Sequence, residues 1–179
     1  LTPATNGLTA SEPAPLEIRE WPGHPDLIGL QASNPQRYPG LFLSIGESGW
    51  DILFAFPQDV TRIDSAGDLC RLQAHLAMQL HPQLTNSYEH GLPFTDGWLC
   101  AFAYELRDAF ALTVGLADDP DFPLARLVRI PAVIQFERSS GRCVLMAEFA
   151  RRALIDDLAL DLAQSRPLHS ACSRIEYPA

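Results

Sequence analysis

The sequence predicts an α+β fold, largely antiparallel sheet packed with helices, and three observations predict it. Two pairs of apolar, strand-length runs, 41–45 with 51–56 and 131–137 with 142–148, are joined by short glycine-bearing turns. Strands that return through so short a connection pair antiparallel. Residues 65–80 and 149–164 instead repeat leucine and isoleucine at three- and four-residue steps, as one face of a helix does. The third observation is negative: no glycine-rich loop links a strand to a helix in the dinucleotide-binding manner.

The elements follow in order. Residues 1–23, rich in Pro, Thr, Ala and Ser, read as a loosely held arm. Asp26 can accept hydrogen bonds from the free amides of a helix start, and Pro35 enforces an end, so a short helix is expected over 26–33. LFLSI (41–45) and DILFAF (51–56) flank GESGW and predict a hairpin. Asp64 and Ser65 offer N-caps to a helix running to about Leu80, with Leu69, Leu72, Leu76 and Leu80 on one face. Residues 81–93 and 118–123 read as loops. GWLCAFAYEL (97–106) predicts a strand buried on both faces. PAVIQFE and RCVLMAE form a second hairpin, in which Gly141 can take a positive φ. Leu154, Ile155, Leu158 and Leu162 then share a helical face, with Asp156, Asp157 and Asp161 opposite. Trp50 and Trp98 lie in apolar runs and are expected in the core.

Composition narrows the function. The formal net charge of −9 repels phosphate backbones and anionic membranes, so neither nucleic acid nor membrane is an expected partner. All 13 basic residues are Arg, which removes Schiff-base and lysine general-base chemistry from the chain. The four cysteines, Cys70, Cys100, Cys143 and Cys172, match no zinc or disulfide spacing. They read as reduced, mostly buried thiols of a cytoplasmic protein. No run of 18 apolar residues occurs, the first residues do not read as a signal peptide, and the missing initiator Met suggests an excised chain. The five histidines lack metal-ligand spacing. Asp118, Asp119 and Asp121 lack the glycine and closing glutamate of a hand-type calcium loop, and Glu105 reads as a capped strand end.

Three segments together carry a family resemblance. RYPGLFLSIGESGWDILFAFP (37–57) is similar to a YPFLLES-like pattern followed by a glycine turn and a strand. Tyr38, Pro39, Leu41, Ser44, Trp50 and Asp51 fall on it. LPFTDGWLCAFAYEL (92–106) is similar to LPF-x-GGWLGYFGYDL through Leu92, Pro93, Phe94, Gly97, Trp98, Leu99, Phe102, Tyr104 and Leu106. Residues 122–148 resemble the strand, turn and returning strand that follow. In these segments the chain resembles the amino-terminal region of component I of anthranilate and para-aminobenzoate (aminodeoxychorismate) synthases. It departs at Leu43, where the family has an acidic residue, at Asp96, Cys100 and Ala103 in place of glycines, and at Ala101 and Glu105 in place of Tyr and Asp.

The resemblance implies the layered architecture of chorismate-using synthases, with residues 24–165 as the amino-terminal-type domain. Residues 166–179 would lead toward a catalytic domain outside this chain. That domain would bind chorismate and Mg2+, and a glutamine amidotransferase subunit would supply ammonia. The implied protein is para-aminobenzoate synthase component I, which aminates chorismate in folate biosynthesis, with this half inactive alone and no catalytic or metal residue in it. The alternatives are the same region of anthranilate synthase in tryptophan biosynthesis, or a stand-alone indole-binding module. Ser44 and Trp50 are the residues that the resemblance assigns to a tryptophan pocket.

Overall fold

A computed structural model describes residues 15–68, 70–74, 91–95, 97–104, 106 and 122–165. Strand β1 (Leu16–Trp21) comes first, then helix α1 (Leu27–Ser33), β2 (Gly40–Phe42), β3 (Trp50–Ala55) and β4 (Val60–Ile63). Then come a 3-10 turn (Ala66–Asp68), helical residues 70–74, β5 (Gly97–Phe102), β6 (Ala125–Ile130), β7 (Ala132–Glu137) and β8 (Cys143–Glu148). A second 3-10 turn (Phe149–Arg151) leads into helix α2 (Leu154–Gln164). The fold is α+β with two antiparallel sheets, one of order β1-β8-β7-β3-β2 and one of order β4-β6-β5. Among the described residues no helix is long and apolar enough to cross a membrane.

Strand alternation divides the core into layers. Leu53, Ile134 and Leu145 face one side of the large sheet and pack under Leu27 and Leu30 of α1 and Ile155 and Leu158 of α2. Ile52, Phe54, Val133 and Met146 face the other side and meet Val128 and Ile130 of β6. The far face of the small sheet buries Ile63, Ala125 and Leu127 with Leu72 of the helical segment. The order is helices, five-stranded sheet, three-stranded sheet, helix. β3, β7 and β8 are apolar on both faces because both faces are covered.

One chain passage joins the sheets. β6 ends in the small sheet at Ile130, buried Pro131 turns the chain, and β7 starts in the large sheet at Ala132. Pro131 lacks an N–H, so it leaves no donor unpaired at the bend, and its carbonyl accepts from the Glu148 amide at 3.0 Å. Arg129 reaches across the corner. It donates to the Gly97 carbonyl (2.8 Å) and the Ile130 carbonyl (3.1 Å) and pairs with Glu148. The opposite margin closes through Gly40 of β2, where a Cβ would lie 2.7 Å from a Leu99 methyl of β5. Between these margins Gln135, fully buried on the inter-sheet face, brackets the backbone of Phe94. Its Oε1 accepts from the Phe94 amide (3.1 Å) and its Nε2 donates to the Phe94 carbonyl (2.8 Å). The Phe94 ring meets Phe54 edge-on at 5.3 Å.

Several expectations meet their elements. Asp26 caps α1 by accepting from the Gly29 amide at 2.8 Å. β7 and β8 form the second hairpin, with Gly141 at φ +72°. Ile155, Leu158 and Leu162 are the buried face of α2.

Others are corrected. Residues 16–21 are no loose arm: they pair along β8 from Leu16 opposite Glu148 to Trp21 opposite Cys143. The strand over 97–106 stops at Phe102 and lies on the margin of the small sheet, so Cys100, Ala101 and Phe102 are exposed rather than buried on both faces. β2 stops at Phe42, which leaves 43–49 as a longer turn. Trp50 and Trp98 are half-buried at the rims of the inter-sheet and outer clusters, not in their centres. Among the described cysteines Cys70 and Cys100 are exposed and Cys143 is buried. β4 (VTRI) and β6 (ARLVRI) have no counterpart among the expected elements, because Thr and Arg interrupt their apolar pattern. The helix expectation past 74, and the loops over 81–90 and 118–121, lie outside the described residues.

Two outcomes follow from this packing. Gln135→Leu leaves the Phe94 amide and carbonyl without partners and is expected to lower stability by about 2–3 kcal/mol, read as a lower urea midpoint; an unchanged midpoint contradicts the bracket. Burial pushes the Cys143 thiol up to about 12, so at pH 8 it holds almost no thiolate, the form that reacts. A thiol reagent is therefore expected to modify Cys70 in the native protein and Cys143 only after unfolding. Labelling of Cys143 as fast as Cys70, followed by mass spectrometry, contradicts this.

Candidate functional site

The two residues expected to hold a ligand sit at the open end of the β2–β3 hairpin. β2 is cut short because the Asp51 carboxylate, 7% exposed as a residue, captures the turn. Asp51 Oδ1 accepts from the Ser44 amide at 2.8 Å. Arg138, in the β7–β8 turn, donates Nε to both Asp51 oxygens at 2.9 and 2.8 Å and Nη1 to the Gly46 carbonyl at 3.3 Å. The Arg138 amide also donates to the Gly49 carbonyl at 2.9 Å. One ion pair thus ties two neighbouring turns together. A carboxylate so little exposed persists because both of its oxygens are hydrogen-bonded.

Ser44 lies inside this turn rather than in a strand. Its Oγ donates to the Ser48 carbonyl at 3.4 Å, a long bond. Gly49 holds φ +135° and packs directly on the Ser44 side chain, which a Cβ would overlap. That position requires glycine twice over, for its backbone and for space. Trp50 follows as the first residue of β3, paired with Glu137, its indole packed on the inter-sheet cluster. The turn thus brings Ser44 against the residue beside Trp50. The apolar neighbours of Ser44 turn outward: Phe42 and Leu43 are exposed, and Ile45 is fully so.

Two polar groups of the structure do not stand out as site residues in the sequence pattern. Gln135 sits at an apolar strand position, and its buried amide was visible only as a break in AVIQFE. The sequence pattern groups Asp161 with Asp156 and Asp157 on the solvent face of α2. It lies three residues after Leu158 and seven after Leu154, a spacing that belongs to the core-side stripe. There its Oδ2 accepts from Tyr38 Oη (2.5 Å) and Arg37 Nη1 (2.6 Å). Burial, then the bond to Asp161, push the Tyr38 phenol well above its ordinary range, so it stays a donor. Among the described residues no group of three or more His, Cys, Asp or Glu is placed to hold a metal ion.

Comparison with models of known protein families and with curated proteins finds no match for this chain.

Removing the Asp51 carboxylate leaves Arg138 Nε and the Ser44 amide without their acceptor. Asp51→Ala is expected to cost roughly 2–3 kcal/mol and to strip exchange protection from the Ser44 amide. Ser44→Ala should change stability by less than about 0.5 kcal/mol. Equal effects from both substitutions would show that the hydroxyl, not the carboxylate, organises the turn.

Proposed function

We propose that this chain is the amino-terminal, non-catalytic half of a para-aminobenzoate (aminodeoxychorismate) synthase component I. The observation that carries the reading is where the resemblance-bearing residues fall. Tyr38 is 1% exposed under the helices, Leu92 is buried, and Phe94 and Leu99 sit in the seam between the sheets. Asp51 organises the hairpin turn. These side chains hold layers and turns together, the work expected of a half that supports a reaction carried out elsewhere. The resemblance to the para-aminobenzoate branch implies a catalytic lysine; the chain has no Lys, so that residue would belong to the other half, together with chorismate, Mg2+ and the contact to a glutamine amidotransferase.

Within this reading Ser44 and Trp50 form one wall of an indole site whose remaining walls belong to the catalytic half. An open wall offers little enclosed area and little pre-organisation, so affinity in the isolated chain is weak.

The test compares the chain alone with the chain supplied with a para-aminobenzoate synthase catalytic half, each with chorismate, Mg2+ and ammonia. Aminodeoxychorismate is expected only from the second sample. Product from the purified chain alone, or none from any pairing that forms a stable complex, overturns the reading. Anthranilate as the sole product would move it to the tryptophan branch. Calorimetric titration of the isolated chain with tryptophan should show no micromolar binding; such binding, lost in Ser44→Ala, would place the whole pocket in this half.

A further inference from the structure

The C-terminal ends of α1 and α2 lie side by side and border an open groove of about 450 Å3, lined by Gly29, Ser33, Asn34, Tyr38, Asp161 and Gln164 among others. That volume is within the range of small-molecule sites. Three features give the groove one electrostatic character. Neither helix carries a basic residue in its last turn, so no side chain of those turns offsets the partial negative charge at each C-terminus. The residue that would cap the Gln31 carbonyl in a continued helix is Pro35, which has no N–H. Asp161 lies on the groove with its side chain 20% exposed, and its two oxygens are used unequally. Tyr38 and Arg37 both donate to Oδ2, while no described residue donates to Oδ1.

Arg37 offsets the charge of this carboxylate through Oδ2 and leaves only the hydrogen-bonding capacity of Oδ1 open. It bonds Oδ2 on one side and lies over the Phe56 ring, 4.9 Å from the centroid, on another. Phe56 is fixed in turn at φ +55°, with its amide donating to the Arg37 carbonyl at 2.8 Å. A non-glycine residue in that region is held against a cost of roughly 1–2 kcal/mol, so the Arg37 backbone is a set part of the fold. The groove is therefore lined by a carboxylate, ion-paired through Oδ2, whose Oδ1 takes no hydrogen bond from a described residue, and by the C-terminal ends of two helices.

We propose that this groove binds a small organic cation through a hydrogen-bonding ammonium or guanidinium group seated on Asp161 Oδ1. The amide side chains of Asn34 and Gln164 and the Ser33 hydroxyl line the remaining wall and suit a polar rather than a greasy body. The site lies among the helices, on the opposite face of the large sheet from the inter-sheet seam, and stands independently of the synthase reading.

The test is an NMR titration of the full chain with 1,4-diaminobutane and, separately, methylguanidine, against sodium chloride at equal ionic strength. At least one of the two cations is expected to shift the Ser33, Asn34 and Gln164 amides saturably, with a dissociation constant of roughly millimolar or tighter. Asp161→Asn should weaken that binding tenfold or more. Because that variant also disturbs Tyr38 and Arg37, Ser33→Lys serves as a second probe. It brings its own ammonium to the groove, so it should abolish binding while the melting temperature stays level or rises. Failure of both cations to saturate, or shifts that persist unchanged in Ser33→Lys, would reduce the groove to a solvated surface and overturn the proposal.

Discussion

Everything in this fold depends on the corner at Pro131. There the chain leaves one sheet and enters the other without a loop between them. A direct passage leaves no slack: the facing of β6 decides the facing of β7, and the alternation of both decides which side chains meet. Val128 and Ile130 therefore oppose Val133 and Met146. Such a bend exposes backbone polar groups in a buried place, and each needs a partner. Pro131 removes one donor, the Glu148 amide serves one acceptor, and Arg129 bridges the two sheets through Gly97 and Glu148. The seam that results is apolar except for Gln135, whose amide replaces the ladder partners that the Phe94 segment lacks.

The same constraint explains where polar chemistry can occur. The interior layers are closed by apolar contact, so charged groups collect at the edges of the stack. Asp51 with Arg138 secures the turn end of the large sheet, and Asp161 with Arg37 and Tyr38 secures the helix end. The first pair satisfies both carboxylate oxygens and is structural. The second uses one oxygen for both of its donors, beside a groove. Similar side chains thus serve different ends according to what geometry leaves unpaired, which a charge count along the sequence does not reveal.

Legibility in the sequence followed the locality of the determining forces. α1 was readable because its cap and its stop, Asp26 and Pro35, lie within ten residues. The β7–β8 hairpin was readable because both strands and their glycine turn are contiguous. β1 was not, because Leu16–Trp21 becomes a strand only when β8, more than 120 residues away, supplies its hydrogen bonds. β5 was misjudged for the related reason that an apolar run does not disclose its place in a sheet; a marginal strand and a central one can share composition. For the candidate site, Ser44 was placed in a strand by the apolar LFLSI pattern, whereas a distant arginine on Asp51 turns it into a loop. Asp161 was legible in principle from its helical spacing, but its worth rests on Tyr38 and Arg37, more than 120 residues earlier.

If the corner couples the sheets as described, they should open as one cooperative unit. Native-state hydrogen exchange measured against denaturant tests this most directly, because it resolves the opening free energy of each strand. The buried amides of β6 and β7 are expected to converge on one global isotherm. An Arg129→Met variant is expected to lower both strands together. A small sheet whose β6 amides exchange at a distinctly lower free energy than those of β7, with Arg129→Met affecting only one of them, would contradict the account.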